Sequence, residues 1–237
     1  MNDIEKLFDS MNTEKIRYVL LHGYNEAFFC NKYGDVDILV EKKDFNRVKN
    51  ILLHQGWKKE RVRMGKYKRY FFKHSENEIL LDLSTEILFS RKVIAFKLYE
   101  EFFTNDCFFK NAKIATPEVA MTYYIARIAI EKNRYMDKDK ERIRSLLEQL
   151  EFHNQENENN HLHQVVRKLI KPIAEELMDC ETNIEAAGEI FVKYTKLLSD
   201  LKLIQYSRKR YIYSELSFFW NRCRYKILRI CKIDNFR

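Results

Sequence analysis

The sequence predicts an α+β protein, with an N-terminal mixed β-sheet and flanking helices followed by an all-helical C-terminal half. Three observations carry this. Apolar runs of strand length, separated by turn residues and one short helical pattern, recur through residues 17–83. Helical spacing of apolar residues dominates beyond Ser84. The 237 residues contain 5 glycines and 2 prolines, 46% hydrophobic and 33% charged residues, a helix-leaning balance with enough chain for a buried core.

Taken in order, Ile4, Leu7, Phe8 and Met11 fall at helical spacing. Arg17 to Gly23 is an apolar run closed by glycine, which predicts a buried strand and a turn. A second strand is expected at Val36 to Val40. Asp44 stands as N-cap before a helix with Phe45, Val48, Ile51 and Leu52 on one side and Gly56 past its end. Trp57 to Met64, Tyr67 to Lys73 and Glu78 to Leu83 read as a hairpin-like succession of strands. Thr116-Pro117-Glu118 supplies a cap, a first-turn proline and an early acid, predicting a helix to about Lys132. Further helices are expected over Lys138 to Leu150, Val165 to Met178, Ile184 to Ile204 and Tyr211 to Cys231, with a polar loop at His153 to Asn160. The expected division is a sheet domain over 1–115 and a helical domain over 116–237 that ends in a basic, aromatic tail over 208–237.

No run of about 18 apolar residues occurs, and Asp3, Glu5, Asp9 and Glu14 are out of place in a secretory leader. The five cysteines are scattered without a CxxC, as reduced thiols would be. A cytoplasmic protein is expected. The formal charge of +8 is uneven: ten Lys or Arg and two acids lie in 201–237, leaving 33 of each sign in the first two hundred residues. Such a tail on a neutral body is suited to an anionic partner.

Asp35 and Asp37 flank Val36 at the start of the second strand, and period-two alternation puts both carboxylates on one face. Oxygen ligands so placed suit a hard divalent cation. Asp82 interrupts the apolar run Ile79-Leu80-Leu81-Asp82-Leu83, where a bare charge is costly without a cation or donor. If the two strands are neighbours, three carboxylates converge. They would then hold one or two Mg²⁺ ions bridging a nucleoside triphosphate (NTP). Upstream, Leu20-Leu21-His22-Gly23 ends a strand in a glycine that lets backbone N–H groups approach phosphate oxygens.

The order of these features, Leu21-His22-Gly23-Tyr24 and then Gly34-Asp35-Val36-Asp37-Ile38, with Asp82 on a later strand, resembles the nucleotidyltransferase-fold superfamily. Within it, Gly34 to Val40, Leu52 to Trp57, Leu81 to Leu83 and the Thr116 helix are similar to an uncharacterised bacterial nucleotidyltransferase family, some of whose members lie in polysaccharide or natural-product gene clusters. The resemblance spans roughly residues 15–150. It implies Mg²⁺-dependent transfer of a nucleoside monophosphate (NMP) from an NTP to a hydroxyl or phosphate of a small-molecule or sugar acceptor, in surface polysaccharide biosynthesis for instance. Asp35 and Asp37 would be metal ligands and Asp82 a ligand or general base. His22, Gly23 and Tyr24 would line the nucleotide. His22 stands where relatives often carry Lys, and Tyr24 where the superfamily has Gly or Ser. Those departures motivate an alternative, a catalytically degenerate binding or regulatory module; the basic tail motivates another, an antitoxin-like or nucleic-acid-directed transferase.

Lys66, Lys68 and Arg69 are candidate phosphate contacts on the hairpin between the acidic strands, a solvated hairpin being the alternative. Arg127 and Lys132 are either cleft residues or a solvated helix face. His161 and His163 form an HxH with no third ligand in sequence, so a metal role is not assigned. In the tail, Tyr211, Tyr213, Phe218, Phe219, Trp220 and Tyr225 interleave with Arg222, Arg224, Lys226 and Arg229. That mixture suits peripheral docking to the inner membrane face or to a protein, less so single-stranded nucleic acid; packing against the protein's own helices is the remaining alternative.

Overall fold

The computed structural model describes residues 3–22, 35–60, 70–74, 79–89, 94–97, 100–103, 107–132, 135–152, 161–182 and 184–206, with His22 and Asp35 described by backbone position only. The expected tail helix, the Gly23–Tyr24 turn and the Lys66, Lys68 and Arg69 hairpin lie outside these residues.

The α+β class is borne out. Helix α1 (Asp3–Thr13) leads into β1 (Tyr18–His22) and β2 (Asp35–Val40), followed by α2 (Phe45–His54), β3 (Trp57–Glu60), β4 (Tyr70–His74) and β5 (Leu80–Ser84). Four short strands come next: β6 (Leu88–Phe89), β7 (Ile94–Phe96), β8 (Cys107–Phe109) and β9 (Ala112–Ile114). One mixed sheet runs β3-β4-β5-β2-β1-β9-β8, and a small second sheet runs β10-β7-β6, where β10 is Ile204–Tyr206.

The helical part contains α3 (Pro117–Ala126), continued as a π-helical stretch over Arg127–Lys132, then α4 (Asp137–Phe152). Helix α5 (His161–Val165) passes through a second π-helical stretch, Val166–Ile170, into α6 (Lys171–Asp179), and α7 (Ile184–Asp200) follows. Thr116 caps α3 as its sequence predicts, its hydroxyl accepting from the Val119 N–H at 3.5 Å.

Two expectations need correction. The pattern beyond Ser84 reads as helical, but β6 to β9 lie within residues 84–115; strands of two or three residues are too short to display alternation. The helix expected through Ile204 stops at Asp200, and Ile204–Tyr206 pairs with β7, so the C-terminal half is not wholly helical. Lys202 takes a left-handed φ of 57°, with its N–H on the Ser199 carbonyl and the Leu203 N–H on the Leu198 carbonyl. That is a Schellman stop with lysine where glycine is usual. Lys15, at φ 53°, ends α1 in the same way, so this glycine-poor chain hides two helix ends from a search for glycines. Asp44 does occupy the N-cap position of α2, yet its carboxylate makes no cap bond. It accepts instead from the Arg17 N–H at 3.1 Å and from Arg47 Nη1 at 2.8 Å.

The large sheet separates two cores. On one face Val36, Ile38, Val40, Leu81 and Leu83 pack with Ile4, Leu7 and Phe8 of α1 and Val48 and Leu52 of α2. On the other, Val19 and Leu39 join the larger core of the helical half. Alternation therefore assigns positions 35, 37 and 39 of β2 to the face that meets the helices. Helix α3 is tied there by buried hydroxyls: Tyr124 donates to Asp139 Oδ1 at 2.9 Å and Tyr194 to the Thr122 carbonyl at 2.8 Å.

These phenols give the fold an alkaline limit. Burial pushes Tyr18 and Tyr135 up to about 12 and raises Tyr194 well above the ordinary value, while burial and then the Asp139 charge raise Tyr124. Below about pH 10 all four are protonated folded or unfolded, and their contribution is complete. Above it the unfolded chain ionises first, so stability is lost as pH rises toward 12. We expect circular dichroism to show unfolding within that window, accompanied by tyrosinate absorbance. Replacing Tyr194 with Phe should reduce the steepness of the loss.

Candidate functional site

Strand register places two of the three sequence-predicted acids side by side. β2 and β5 are parallel neighbours, with Asp37 directly opposite Asp82, Val36 opposite Leu81 and Ile38 opposite Leu83. Direct partners on parallel strands share a face, so Asp37 and Asp82 both address the helical layer. Asp82 is 6% exposed, and the Asp37 side chain retains 14% of its surface. Asp35 opens the same strand two residues earlier, opposite Leu80. The strands themselves are held by apolar side chains on the reverse face, which fixes the register, since a one-residue slip would turn the acids into the core under α1 and α2 and remove Val36 and Ile38 from it.

The next strand in the row contributes His22. β1 and β2 pair Tyr18 with Val40, Val19 with Leu39 and Leu20 with Ile38, and then the register shifts so that His22, not Leu21, stands opposite Asp37. A register shift at Leu21 thus brings the end of β1 level with Asp37; bulges of this kind are common beside active sites. His22, Asp37 and Asp82 form one row across β1, β2 and β5.

Arg127 closes the row from the helical side. It begins the π-helical stretch after α3, and its Nη1 donates to Asp37 Oδ2 at 2.9 Å, with 20% of the Arg127 side chain exposed. Single-turn π widenings cluster at functional sites because they re-aim side chains. Arg127 is therefore not on a solvated helix face: its side chain meets Asp37 on the sheet. The signal in the sequence is a lone arginine in the apolar run Tyr123-Tyr124-Ile125-Ala126-Arg127-Ile128-Ala129, a residue that cannot be buried without an acid. The Lys132 side chain lies outside the described residues.

The donor set fits a divalent cation in kind. Two carboxylates in direct register, one almost wholly buried, offer the hard oxygen ligands that a divalent cation prefers. Among the described residues, no three His, Cys, Asp or Glu side chains gather as a metal-binding group. Asp37 and Asp82 are the described acids of the site.

A second polar pair is not legible in the sequence. His163 Nδ1 lies 2.8 Å from Glu118 Oε1, with the residues 3% and 4% exposed. Glu118 sits in the first turn of α3 and His163 in α5, so this pair locks two helices together; the HxH is a packing device at its second histidine. Both residues belong to the helical half.

No family model matches the sequence, and no curated protein matches it. Two solved structures are similar to the chain. One is the crystal structure of the lincosamide antibiotic adenylyltransferase LnuA bound to lincomycin, at 20% identity and TM-score 0.39, covering 61% of this chain and 94% of that one. The other is the solution structure of the antibiotic-resistance factor ANT(2'')-Ia, at 9% identity and TM-score 0.37, covering 84% of this chain and 93% of that one.

Proposed function

We propose that this protein is an Mg²⁺-dependent nucleotidyltransferase that moves an NMP from an NTP to a hydroxyl of a small-molecule or sugar acceptor. The observation that supports the reading is the Asp37–Asp82 register pair on the face beneath Arg127. Asp37 and Asp82, with Asp35 on the same strand, are the residues that would hold the cation. Bound there, the cation would neutralise the triphosphate and stabilise charge on the transferring phosphoryl group. The acceptor oxygen attacks the α-phosphorus and forms a new P–O bond; the bond to the bridging oxygen breaks and pyrophosphate leaves. Asp82 is assigned the acceptor proton or a share of the cation. His22, Gly23 and Tyr24 are assigned to the triphosphate, with Lys66, Lys68 and Arg69 as further phosphate contacts.

Incubating the full chain with each of the four NTPs, Mg²⁺ and a panel of sugars and amino sugars should release pyrophosphate and label one acceptor class. Binding of NTP without turnover of any acceptor would favour the degenerate module. Labelling of protein or RNA in place of small molecules would favour the macromolecule-directed reading.

The tail is assigned to peripheral docking on an anionic membrane surface. No helix among the described residues is long and apolar enough to cross a membrane. Each Lys or Arg near such a surface contributes about 1 kcal/mol, and eight of the ten in 201–237 lie within 208–232. The intact chain should cosediment with phosphatidylserine vesicles, less so as salt rises. A chain ending at Ser207 should remain in the supernatant; equal binding by both would refute the assignment.

A further inference from the structure

Arg127 is engaged with the wrong partner for a residue whose only task is to bind nucleotide. Its guanidinium donates to a carboxylate oxygen of Asp37, within a site where both side chains are at least four-fifths buried. A divalent cation on Asp37 and Asp82 would find that guanidinium already in hydrogen-bond contact with one of its ligands. Two positive groups so close repel strongly at reduced dielectric. The incoming triphosphate supplies the negative charge that satisfies both.

We infer that Arg127 is a counter-ion for Asp37 which blocks the cation site until nucleotide arrives, so that the metal enters with the NTP and not ahead of it. This rests on the nucleotidyltransferase reading above and adds to it an order of binding. In the free protein Arg127 neutralises Asp37. On nucleotide binding the guanidinium transfers to phosphate oxygens, for which its planar fork is well shaped, and Asp37 is released to the cation. The π-helical stretch that starts at Arg127 is the structural means: an α-helix widened at this residue aims the side chain down onto the sheet. The rest of α3 is held in place by the Tyr124–Asp139 and Tyr194–Thr122 bonds, so the exchange needs only a side-chain movement.

The test uses Mn²⁺ as the probe, its free concentration followed by electron paramagnetic resonance, with the full chain in the absence and presence of ATP, GTP, CTP or UTP. The wild type should bind Mn²⁺ weakly alone, and at least tenfold more tightly with one of the nucleotides beyond what the nucleotide itself binds. Arg127→Gln should raise nucleotide-free Mn²⁺ affinity at least tenfold and weaken nucleotide affinity by a similar factor. Arg127→Lys, which keeps the charge, should stay within about threefold of wild type in Mn²⁺ affinity. If Arg127→Gln fails to fold, the wild type still decides: tight Mn²⁺ binding without nucleotide overturns the inference. So does an Arg127→Gln affinity equal to or below wild type, provided that Asp37→Asn abolishes the nucleotide-dependent binding. If no nucleotide promotes Mn²⁺ binding and Asp37→Asn changes nothing, the nucleotidyltransferase reading falls, and the inference falls with it.

Discussion

Asp82→Asn and Asp37→Asn should each reduce nucleotidyl transfer by on the order of 10³-fold or more without unfolding the protein. The substitutions keep the shape of the side chain and remove the charge that a hard cation requires. Asp82 stands directly opposite Asp37 on a parallel strand, and exchanging its carboxylate for an amide of the same shape should shift the melting temperature by no more than about 4 °C. Neutralising Asp37 also weakens the bond to Arg127, leaving a largely buried guanidinium less well compensated, and a small loss is expected. Parallel losses of activity and melting temperature in both variants would mean that the acids are structural. The residual rate of Asp82→Asn against pH separates its two roles. A proton acceptor lost at Asp82 makes the rate climb with hydroxide, whereas a metal ligand lost there is offset by raising Mg²⁺.

The second large effect is on stability. Glu118→Ala should destabilise the fold by about 3 kcal/mol, because removing one member of a buried pair leaves the other without its bond in a low-dielectric core. For a chain of this length that corresponds to a fall of roughly 6–12 °C in melting temperature. Among the described residues the other ring nitrogen of His163, Nε2, is buried and has no hydrogen-bond partner. The double variant Glu118→Leu with His163→Leu should recover much of the loss. Differential scanning calorimetry of the four-member cycle checks this; additive losses would show that the two side chains do not act as a pair.

The acids are legible in the sequence because their chemistry and local periodicity coincide: Asp35-Val36-Asp37 has the alternation of a strand, and Asp82 is an anomaly in an apolar run. Their adjacency is not, since the pairing of β2 with β5 joins residues more than forty positions apart and is decided by which apolar faces fit against α1 and α2. The register shift at Leu21 is invisible in sequence for the same reason, being a property of two strands together. Arg127 leaves a readable trace, an isolated cation among apolar residues, but its partner does not. The strands at 88–114 are concealed by their brevity, and the end of α7 by a lysine in the conformation that usually demands glycine. Glu118 and His163 read as a first-turn acid and a polar helix start. Only the packing of α3 against α5 turns them into a buried pair.

Calorimetric titration of each NTP into the full chain, with and without Mg²⁺, using wild type and Asp37→Asn, decides whether Asp37 serves a nucleotide-bound cation. One or more NTPs should bind the wild type at least tenfold more tightly with Mg²⁺ than without, and Asp37→Asn should bind them equally in both conditions. NTP binding by the wild type that is indifferent to Mg²⁺, or Mg²⁺-dependent binding that survives in Asp37→Asn, would contradict that role.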